Sequence, residues 1–301
     1  MVDKFIYYSY FIKEIKLTNI TKEIENEICS KYLTHTSSQL AKEYDVAQSK
    51  VTNIWTKYGL KGKKRQIYSL NEEYFDVIDD SNKAYFLGFI CADGCLFKNK
   101  NKQDVLRITI HRQDEYILEE FLELIQTNKP IYRTSGKYST IEIVSDKIVK
   151  SLNKIGIFPN KTYGNTIPNI SEQFELDFIR GYIDGDGHIT PKTSENMRVA
   201  ISGYESNMLK IASMLENRNV LSSFMVDKRK ECKNGSFGEL AFSNKLECYC
   251  LLKLLYQNEL TLKLYRKYKN AMDFIEHIEN SNKKSDKEIL IYYKYAVQKV
   301  G

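Results

Sequence analysis

The sequence has no long apolar run and no CxxC pair of cysteines, and each absence excludes a class of protein. Charged residues interrupt the opening segment MVDKFIYYSYFIKEIK, so it is neither a signal peptide nor a membrane span, and no later apolar run is long enough to cross a bilayer. The six cysteines form no CxxC pair and no zinc-binding spacing. We therefore expect a cytosolic protein with reduced, structural cysteines and no membrane partner.

Positive charge is concentrated in the first quarter of the chain. The first 70 residues contain 12 Lys and Arg against 7 Asp and Glu, whereas the rest contains 33 against 32. With 301 residues, the chain can hold two or three domains that each bury a core. The basic excess favours a nucleic-acid partner for the N-terminal part.

A short helical phrase occurs twice, as FLGFICADG at 86–94 and as IRGYIDGDG at 179–187. Each copy has a glycine and a small residue four positions apart, Gly88 with Ala92 and Gly181 with Gly185. Residues four apart share one helical face, and a face without bulk lets two backbones approach closely. The pattern predicts two helices packed against each other.

Each copy ends on an aspartate followed by a glycine. Gly94 and Gly187 predict a left-handed residue just past each helix, which places Asp93 and Asp186 on the last helical turns. A carboxylate at the negative end of a helix dipole is misplaced by about 0.3–1 kcal/mol unless a cation joins it. Two crossed helices ending in this way would gather two carboxylates and several carbonyl oxygens, which suit Mg²⁺.

The surroundings of the two phrases also match. RITIHRQDEYIL at 107–118 resembles RVAISGYESNML at 198–209, and IEIVSDKIVKSL at 141–152 resembles ELAFSNKLECYC at 239–250. In each copy an alternating strand pattern leads into an apolar helical pattern. The chain therefore carries a tandem duplication, with helix, two strands, helix, two strands and helix in each half. The expected halves are 66–168 and 169–301, after a separate region at 1–65.

The doubled phrase resembles the LAGLIDADG motif of homing endonucleases, in the form in which one chain carries both motifs. The similarity covers about 70–276 and includes KIGIFPNKT at 154–162 and LYRKY at 264–268. Cys91 departs from the family's usual Asp at the sixth motif position, where the second copy has Asp184, but the eighth position is acidic in both copies. The resemblance implies an α+β fold of tandem pseudo-symmetric αββαββα repeats with the two LAGLIDADG helices paired at the centre.

The resemblance also implies an activity. It implies a monomeric, site-specific endonuclease of intron homing, which makes metal-dependent breaks in both strands of double-stranded DNA at a long recognition site. Asp93 and Asp186, with the carbonyls of Ala92 and Gly185, would hold Mg²⁺ or Mn²⁺ near the scissile phosphates. One active site per strand and short 3′ overhangs are further implications.

A basic residue near each metal usually completes the family's arrangement. Lys147 and Lys245 are the predicted catalytic lysines, because both follow plausible helix N-caps at matching strand-to-helix junctions. A lysine there faces the positive end of the helix dipole, which is mildly unfavourable. Its presence therefore calls for a reason other than helix stability. Lys98 and Lys192, shortly after the two acids, are the competing pair. The alternative for each is a surface lysine.

Residues 39–60, QLAKEYDVAQSKVTNIWTKYGL, have the spacing of a helix-turn-helix. Asp45 takes the place of the usual turn glycine, Val51 and Ile54 pack the second helix, expected over about 47–58, and Trp55 is expected in the core. The polar residues of that helix and the basic linker after it are the predicted DNA contacts: Gln48, Ser49, Lys50, Thr52, Asn53, Lys57, Lys63, Lys64 and Arg65. The alternative is an ordinary helical hairpin with a charged face.

In the duplicated part, DNA contacts are expected on strands. Alternation over 105–111 places Val105, Arg107, Thr109 and His111 on one face, and the corresponding second strand exposes Arg198, Ala200 and Ser202. In the family, such faces of the two halves form a saddle across the major groove. Arg107 and Arg198 are interpreted as matching positions. The predicted contacts of this part are Lys98, Arg107, Thr109, His188, Lys192 and Arg198.

Three functions remain open. The first is the homing endonuclease, the second a non-catalytic transcriptional regulator on the same fold, and the third a maturase that binds intron RNA. A regulator needs no metal ligands, so Asp93 and Asp186 argue against it, whereas the sequence hardly separates the nuclease from the maturase. The expected location is the bacterial or phage-infected cytoplasm, or the organelle matrix for an organellar gene.

Overall fold

The computed structural model describes residues 20–60, 68–133, 136–159, 166–190, 197–227, 236–257 and 262–298. The chain divides between Leu70 and Asn71 into two compact units. Within the described ranges, every helix is too short or too polar to cross a lipid bilayer.

The described residues of the N-terminal unit include three α-helices: α1 (Lys22–Ser30), α2 (Ser37–Glu43) and α3 (Gln48–Lys57). Thr36 begins α2 with a capping box that it shares with Gln39. The helices enclose a small core of Ile28, Tyr32, Leu40, Val51, Ile54 and Trp55. Asp45 has a φ of 50° in the turn before α3, a conformation that aspartate tolerates better than most residues. The predicted second helix and the core positions of Val51, Ile54 and Trp55 are confirmed.

The first half of the larger unit follows the predicted order of elements. These elements are α4 (Ser81–Asp93), β1 (Gly94–Lys98), β2 (Asp104–His111), α5 (Tyr116–Leu124), β3 (Tyr132–Arg133), β4 (Tyr138–Val144) and α6 (Asp146–Lys154). The strands form an antiparallel sheet in the order β1-β2-β4-β3. Asp80 caps α4 and Ser145 caps α6 through side-chain hydrogen bonds, which satisfy amides that a helix start leaves unpaired.

The second half repeats this order. Its elements are α7 (Glu175–Asp186), β5 (Gly187–Ile189), β6 (Val199–Tyr204), α8 (Glu205–Glu216), β7 (Ser223–Val226), β8 (Phe237–Phe242) and α9 (Lys245–Tyr256), followed by α10 (Tyr265–Glu279) and α11 (Lys284–Tyr292). The antiparallel sheet order β5-β6-β8-β7 matches that of the first half. The predicted α+β fold with two αββαββα repeats is confirmed.

Helices α4 and α7 pack against each other so closely that their glycines meet opposing backbone. A Cβ on Gly88 would lie 2.0 Å from the carbonyl oxygen of Phe178, and a Cβ on Gly181 would lie 1.9 Å from that of Tyr85. Tyr85 and Phe178 each stand three residues before the glycine of their own helix, so the two contacts are reciprocal. Such reciprocity is the signature of a twofold axis. The predicted pairing of the two motif helices is confirmed.

The glycines that follow the two acids have a different conformation from the predicted one. Gly94 has φ −69° and ψ 149°, and Gly187 has φ −76° and ψ 154°, so neither residue is left-handed. The chain passes directly from each helix into a strand. A Cβ at Gly94 would lie 2.6 Å from the Ile90 carbonyl oxygen, and one at Gly187 would lie 2.6 Å from that of Ile183. Glycine is therefore needed here for space rather than for a positive φ.

The sheet registers show that Arg107 and Arg198 do not match. Ile108 pairs with Gly94 on β1, and Ile201 pairs with Gly187 on β5, so Ile108 and Ile201 are equivalent. Arg107 then corresponds to Ala200, and Arg198 lies two residues out of step. The slip of two residues left every side chain on the same face, because strand side chains alternate with a period of two. The predicted equivalence was therefore wrong.

Two other details of the repeat differ from the prediction. Ile141 and Leu240 occupy equivalent places on β4 and β8, which makes Asp146 the counterpart of Lys245 and shifts Lys147 by one position. Ala200 was expected to be exposed, but it is only 4% exposed. Ala241, its cross-strand neighbour on β8, is fully buried, so this part of the sheet face is covered.

Candidate functional site

The last turns of α4 and α7 lie side by side, and each ends in a candidate acid. A Cβ at Gly185 would lie 2.5 Å from the Cβ of Ala92 and 3.6 Å from the amide nitrogen of Asp93. Burial raises the pKa of Tyr182 on α7, and both Cys91 and Asp186 lie close enough to raise it further. Asp93 and Asp186 therefore leave the same end of the helix pair, as predicted from the two phrases.

The accessible oxygens at this end fit a hard divalent cation. Asp93 is half-buried and Asp186 is exposed. Across the described ranges no group of three or more His, Cys, Asp and Glu side chains is placed to hold a metal, so a cation at this end would have at most the two carboxylates as side-chain ligands. Mg²⁺ usually takes one or two carboxylates together with waters and substrate phosphates, and Mn²⁺ accepts similar oxygen ligands. Ala92 and Gly185 directly precede the two acids in sequence, and metal binding by their carbonyls stays a prediction.

Lys267, which the sequence analysis did not select, lies at the end of α7. Its Nζ donates to the carbonyl oxygens of Ile183 and Asp184, both at 2.7 Å, and to that of Gly185 at 3.4 Å. The residue is 3% exposed, and burial lowers the pKa of its amine to about 8, while Asp184 and Asp93 act in the opposite direction. A cation stabilises the negative end of a helix. Lys267 therefore places positive charge at the end of α7 and near Asp93.

The signal for Lys267 was present in the phrase LYRKY at 264–268. The phrase has adjacent basic residues, Arg266 and Lys267, and spacing alone does not tell which one turns inward. In the structure Arg266 turns to Asp114, with Nε 2.9 Å from Oδ2, and Lys267 turns to α7. The choice depends on how α10 packs, which is a tertiary property.

A buried acid ties the start of α10 to the helix pair. Asp184 is 1% exposed and accepts hydrogen bonds from the Tyr85 hydroxyl at 2.8 Å, the Tyr256 hydroxyl at 3.3 Å and the Leu264 amide at 2.9 Å. Burial raises the pKa of Asp184, while Lys267 opposes that rise. These bonds satisfy a carboxylate that would otherwise be costly to bury. They also hold Lys267 close to the end of α7.

The first half replaces this polar cluster with less polar side chains. By the helix pseudo-symmetry, Cys91 takes the place of Asp184 and Phe178 that of Tyr85. A phenylalanine cannot donate a hydrogen bond, so an acid at position 91 would lose that partner. The departure at Cys91 is therefore matched by a second change across the interface. Cys91 is half-buried and is not part of a disulfide.

The two lysines predicted to be catalytic bond to carboxylates elsewhere. The Nζ of Lys147 lies 2.6 Å from Glu73 and 3.8 Å from Asp76, and Glu73 raises the pKa of Lys147. Lys245 lies 3.3 Å from the buried Asp286 on α11. A catalytic role for Lys147 and Lys245 stays a prediction.

The competing lysines and the exposed histidine are placed as follows. Lys98 pairs with Asp104 at 2.7 Å, and Lys192 lies outside the described residues. His188 is exposed on β5, directly after the Asp186–Gly187 pair. Its position on the strand agrees with the predicted DNA side, and contact with DNA stays a prediction.

The strand face predicted to meet DNA is accessible in β2. Leu106, Ile108 and Ile110 are buried, whereas Arg107, Thr109 and His111 are not. Val105 is the exception on that face at 1% exposure. The Thr109 hydroxyl lies 3.0 Å from that of Thr140, and in the second half Arg198 Nη2 lies 2.8 Å from Glu239 Oε2. In the first sheet Arg107 Nη2 lies 2.6 Å from Glu142 Oε1, so each sheet presents a cross-strand Arg–Glu pair, at positions that are not equivalent.

The polar residues of α3 differ in accessibility. Gln48, Ser49, Asn53 and Lys57 are exposed, while Lys50 and Thr52 are half-buried. Lys57 pairs with Glu25 at 2.7 Å, so its positive charge is partly neutralised within the unit. Lys63, Lys64 and Arg65 lie outside the described residues. Contact between this unit and DNA stays a prediction.

No protein-family model matches the chain, and no curated protein does. Solved structures with a similar fold include the meganuclease I-SmaMI bound to uncleaveable DNA, at 13% identity and a TM-score of 0.49, over 72% of this chain and 98% of that one. They also include the I-LtrWI LAGLIDADG homing endonuclease bound to target DNA, at 13% identity and a TM-score of 0.48, over 74% of this chain and 97% of that one. The similarity to these structures extends to the fold alone.

Proposed function

We propose that the protein is a site-specific endonuclease that cuts both strands of double-stranded DNA, with Mg²⁺ or Mn²⁺ held by Asp93 and Asp186. The observation that carries the proposal is the meeting of the two helix ends, which brings one acid from each half to a pseudo-twofold axis. The two strands of a duplex are themselves related by local twofold axes. One acid can therefore serve each strand.

The chain's own residues supply the binding and the electrostatics of the reaction. A bound divalent cation neutralises charge on the phosphate, lowers the pKa of an attacking water and stabilises the leaving 3′ oxygen. Asp93 and Asp186 provide the charged ligands at helix ends that already attract cations. The Gly185 carbonyl has two lone pairs, so its long contact with Lys267 leaves one for a metal. The charge on Lys267 adds to the attraction for phosphate.

The remaining parts of the proposal concern partners and setting. The outer faces of the two sheets bind the major groove, and the N-terminal unit adds contacts through α3 and the basic residues after it. A single chain supplies both halves, so the protein acts as a monomer. An intron-homing role places it in the cytoplasm or in an organelle matrix.

The direct test is to incubate the purified protein with a pool of random DNA duplexes and to sequence the ends that form. We expect cuts on both strands at one long sequence when Mg²⁺ is present. No cuts should form when a chelator removes the metal. Selective binding of a duplex without any cut would favour a regulator. Binding of a structured intron RNA without cutting of DNA would favour a maturase.

We expect Lys267→Met to slow cleavage by about 100-fold, the typical effect of removing one electrostatic group from an active site. Methionine fills a similar volume, so DNA affinity should fall only slightly, but the melting temperature should fall because the carbonyl oxygens of Ile183 and Asp184 lose a buried donor. The same single-turnover assay should be run on Lys147→Met and Lys245→Met. A loss of cleavage in those two variants, with Lys267→Met near the parent rate, would return the role to the lysines predicted from sequence.

Removal of residues 1–70, the N-terminal unit, should weaken DNA binding and flatten its dependence on salt. Each lost phosphate contact lowers the slope of log K against log salt by about 0.9. Cleavage should survive at high protein concentration, because Asp93, Asp186 and Lys267 all belong to the other unit. Fluorescence anisotropy across a salt series checks the slope. An unchanged affinity and slope would show that this unit does not bind DNA.

A further inference from the structure

Arg107, on the outer face of the first sheet, is held by two neighbours. Its Nε donates to Glu142 Oε1 at 2.8 Å, and its Nη2 lies 2.6 Å from the same oxygen. Its guanidinium carbon lies 4.4 Å from the centre of the Phe97 ring. Glu142 stands directly opposite Arg107 on β4, and Phe97 belongs to the strand on the other side. The side chain is thus fixed along one edge and over one face.

This arrangement leaves one end of the guanidinium available. The group has five N–H donors in a planar fork. Glu142 occupies the edge formed by Nε and Nη2, and within the described part of the chain no other residue accepts a hydrogen bond from Arg107. The side chain is 43% exposed. Donors on Nη1 and Nη2 point forward together, and this end-on fork matches the O6 and N7 acceptors of guanine in the major groove.

We propose that Arg107 reads a guanine in the half of the target that lies against the first sheet, and that Glu142 and Phe97 are its positioning residues. The inference rests on the proposed function, because it requires this face to lie in a major groove. Beyond that function, the inference names the base that Arg107 recognises and the geometry that allows the recognition. A fork held in place before binding loses less side-chain freedom on contact than a mobile one.

The second sheet has no equivalent reader among its described residues. The register places Ala200 at the position of Arg107 and Ala241 at that of Glu142. Arg198, two residues away, meets Glu239 through Nη2 at 2.8 Å. The guanine requirement therefore belongs to one half-site only, and the target is not palindromic at this position.

The test is selection of bound sequences from a pool of random DNA duplexes, with the full-length protein and without divalent metal, so that binding is read apart from cleavage. The parent should enrich guanine at one position of one half-site. Arg107→Gln should shift that position toward adenine, which glutamine reads through N6 and N7, and should reduce the guanine preference by about tenfold or more. Glu142→Gln keeps the shape but not the charge of the pair, and should weaken the preference at the same position.

Arg198→Gln is the matched control and should leave that position unchanged while altering another position in the opposite half-site. A guanine preference that persists in Arg107→Gln and Glu142→Gln, within a motif that is still enriched, overturns the inference and leaves DNA binding intact. An equal loss at all positions also overturns it, because Arg107 then acts through phosphate charge. A parent protein that enriches no motif contradicts the proposed function itself.

Discussion

Asp186→Asn is expected to abolish double-strand cleavage while DNA binding persists. Asparagine keeps the shape of the side chain but removes the charge that holds the cation, so cleavage should fall by several orders of magnitude. Binding should hold or tighten, because a negative charge facing phosphate has been removed. Asp93→Asn should behave in the same way, with slow nicking of one strand where the two strand sites work partly independently. Paired measurements of affinity and cleavage with Mg²⁺ check both variants.

Glu119→Gln is the control for these two variants. Glu119 is an exposed carboxylate on α5, and its loss should change neither affinity nor cleavage. If either asparagine variant cut DNA at near the parent rate, the two acids would not be the metal ligands. The nuclease reading would then fail for this chain.

Gly181→Ala is expected to destabilise the larger unit more than any surface substitution. The added Cβ would lie 1.9 Å from the carbonyl oxygen of Tyr85 and 2.8 Å from its carbonyl carbon, both backbone atoms. Relief requires α4 and α7 to separate, so the free energy of unfolding should fall by about 3 kcal/mol or more, at or above the upper end for overpacked cores. Gly88→Ala should have a similar effect. Denaturant unfolding followed by circular dichroism measures the loss.

Gly203→Ala provides a matched comparison on β6. Its added Cβ would lie 2.7 Å from Met208 Cε, the far end of a flexible side chain. Methionine can move aside, so the cost should stay below about 1 kcal/mol. Equal midpoints for Gly181→Ala and Gly203→Ala would mean that the two motif helices do not approach as closely as described.

The paired helices could be predicted because close packing restricts residue type at fixed spacing. Gly88, Gly181 and Gly185 stand where a side chain would meet the other helix. This requirement for small residues is visible in both copies of the repeated phrase. The conformation of Gly94 and Gly187 could not be predicted in the same way. A glycine needed for space and one needed for a positive φ look alike in a sequence.

Two other features could not be predicted from the sequence, for a different reason: the register of the sheets and the partners of the lysines. A slip of two residues between the repeats keeps the alternation intact, so only the pairing of Gly94 with Ile108 and of Gly187 with Ile201 reveals it. Lys267 reaches α7 because the start of α10 is fixed by Asp184. Such contacts join residues that are far apart in the chain, where local patterns carry no information.

The most direct test of the account is to locate the metal in crystals of the protein bound to its selected duplex, grown with Mn²⁺. The anomalous signal of manganese identifies the ion without assumptions about chemistry. We expect a peak about 2.0–2.3 Å from carboxylate oxygens of both Asp93 and Asp186, the range typical of hard divalent cations. A peak that touches neither acid, in crystals that contain bound DNA, would contradict the proposal that these two residues hold the metal used to cut DNA.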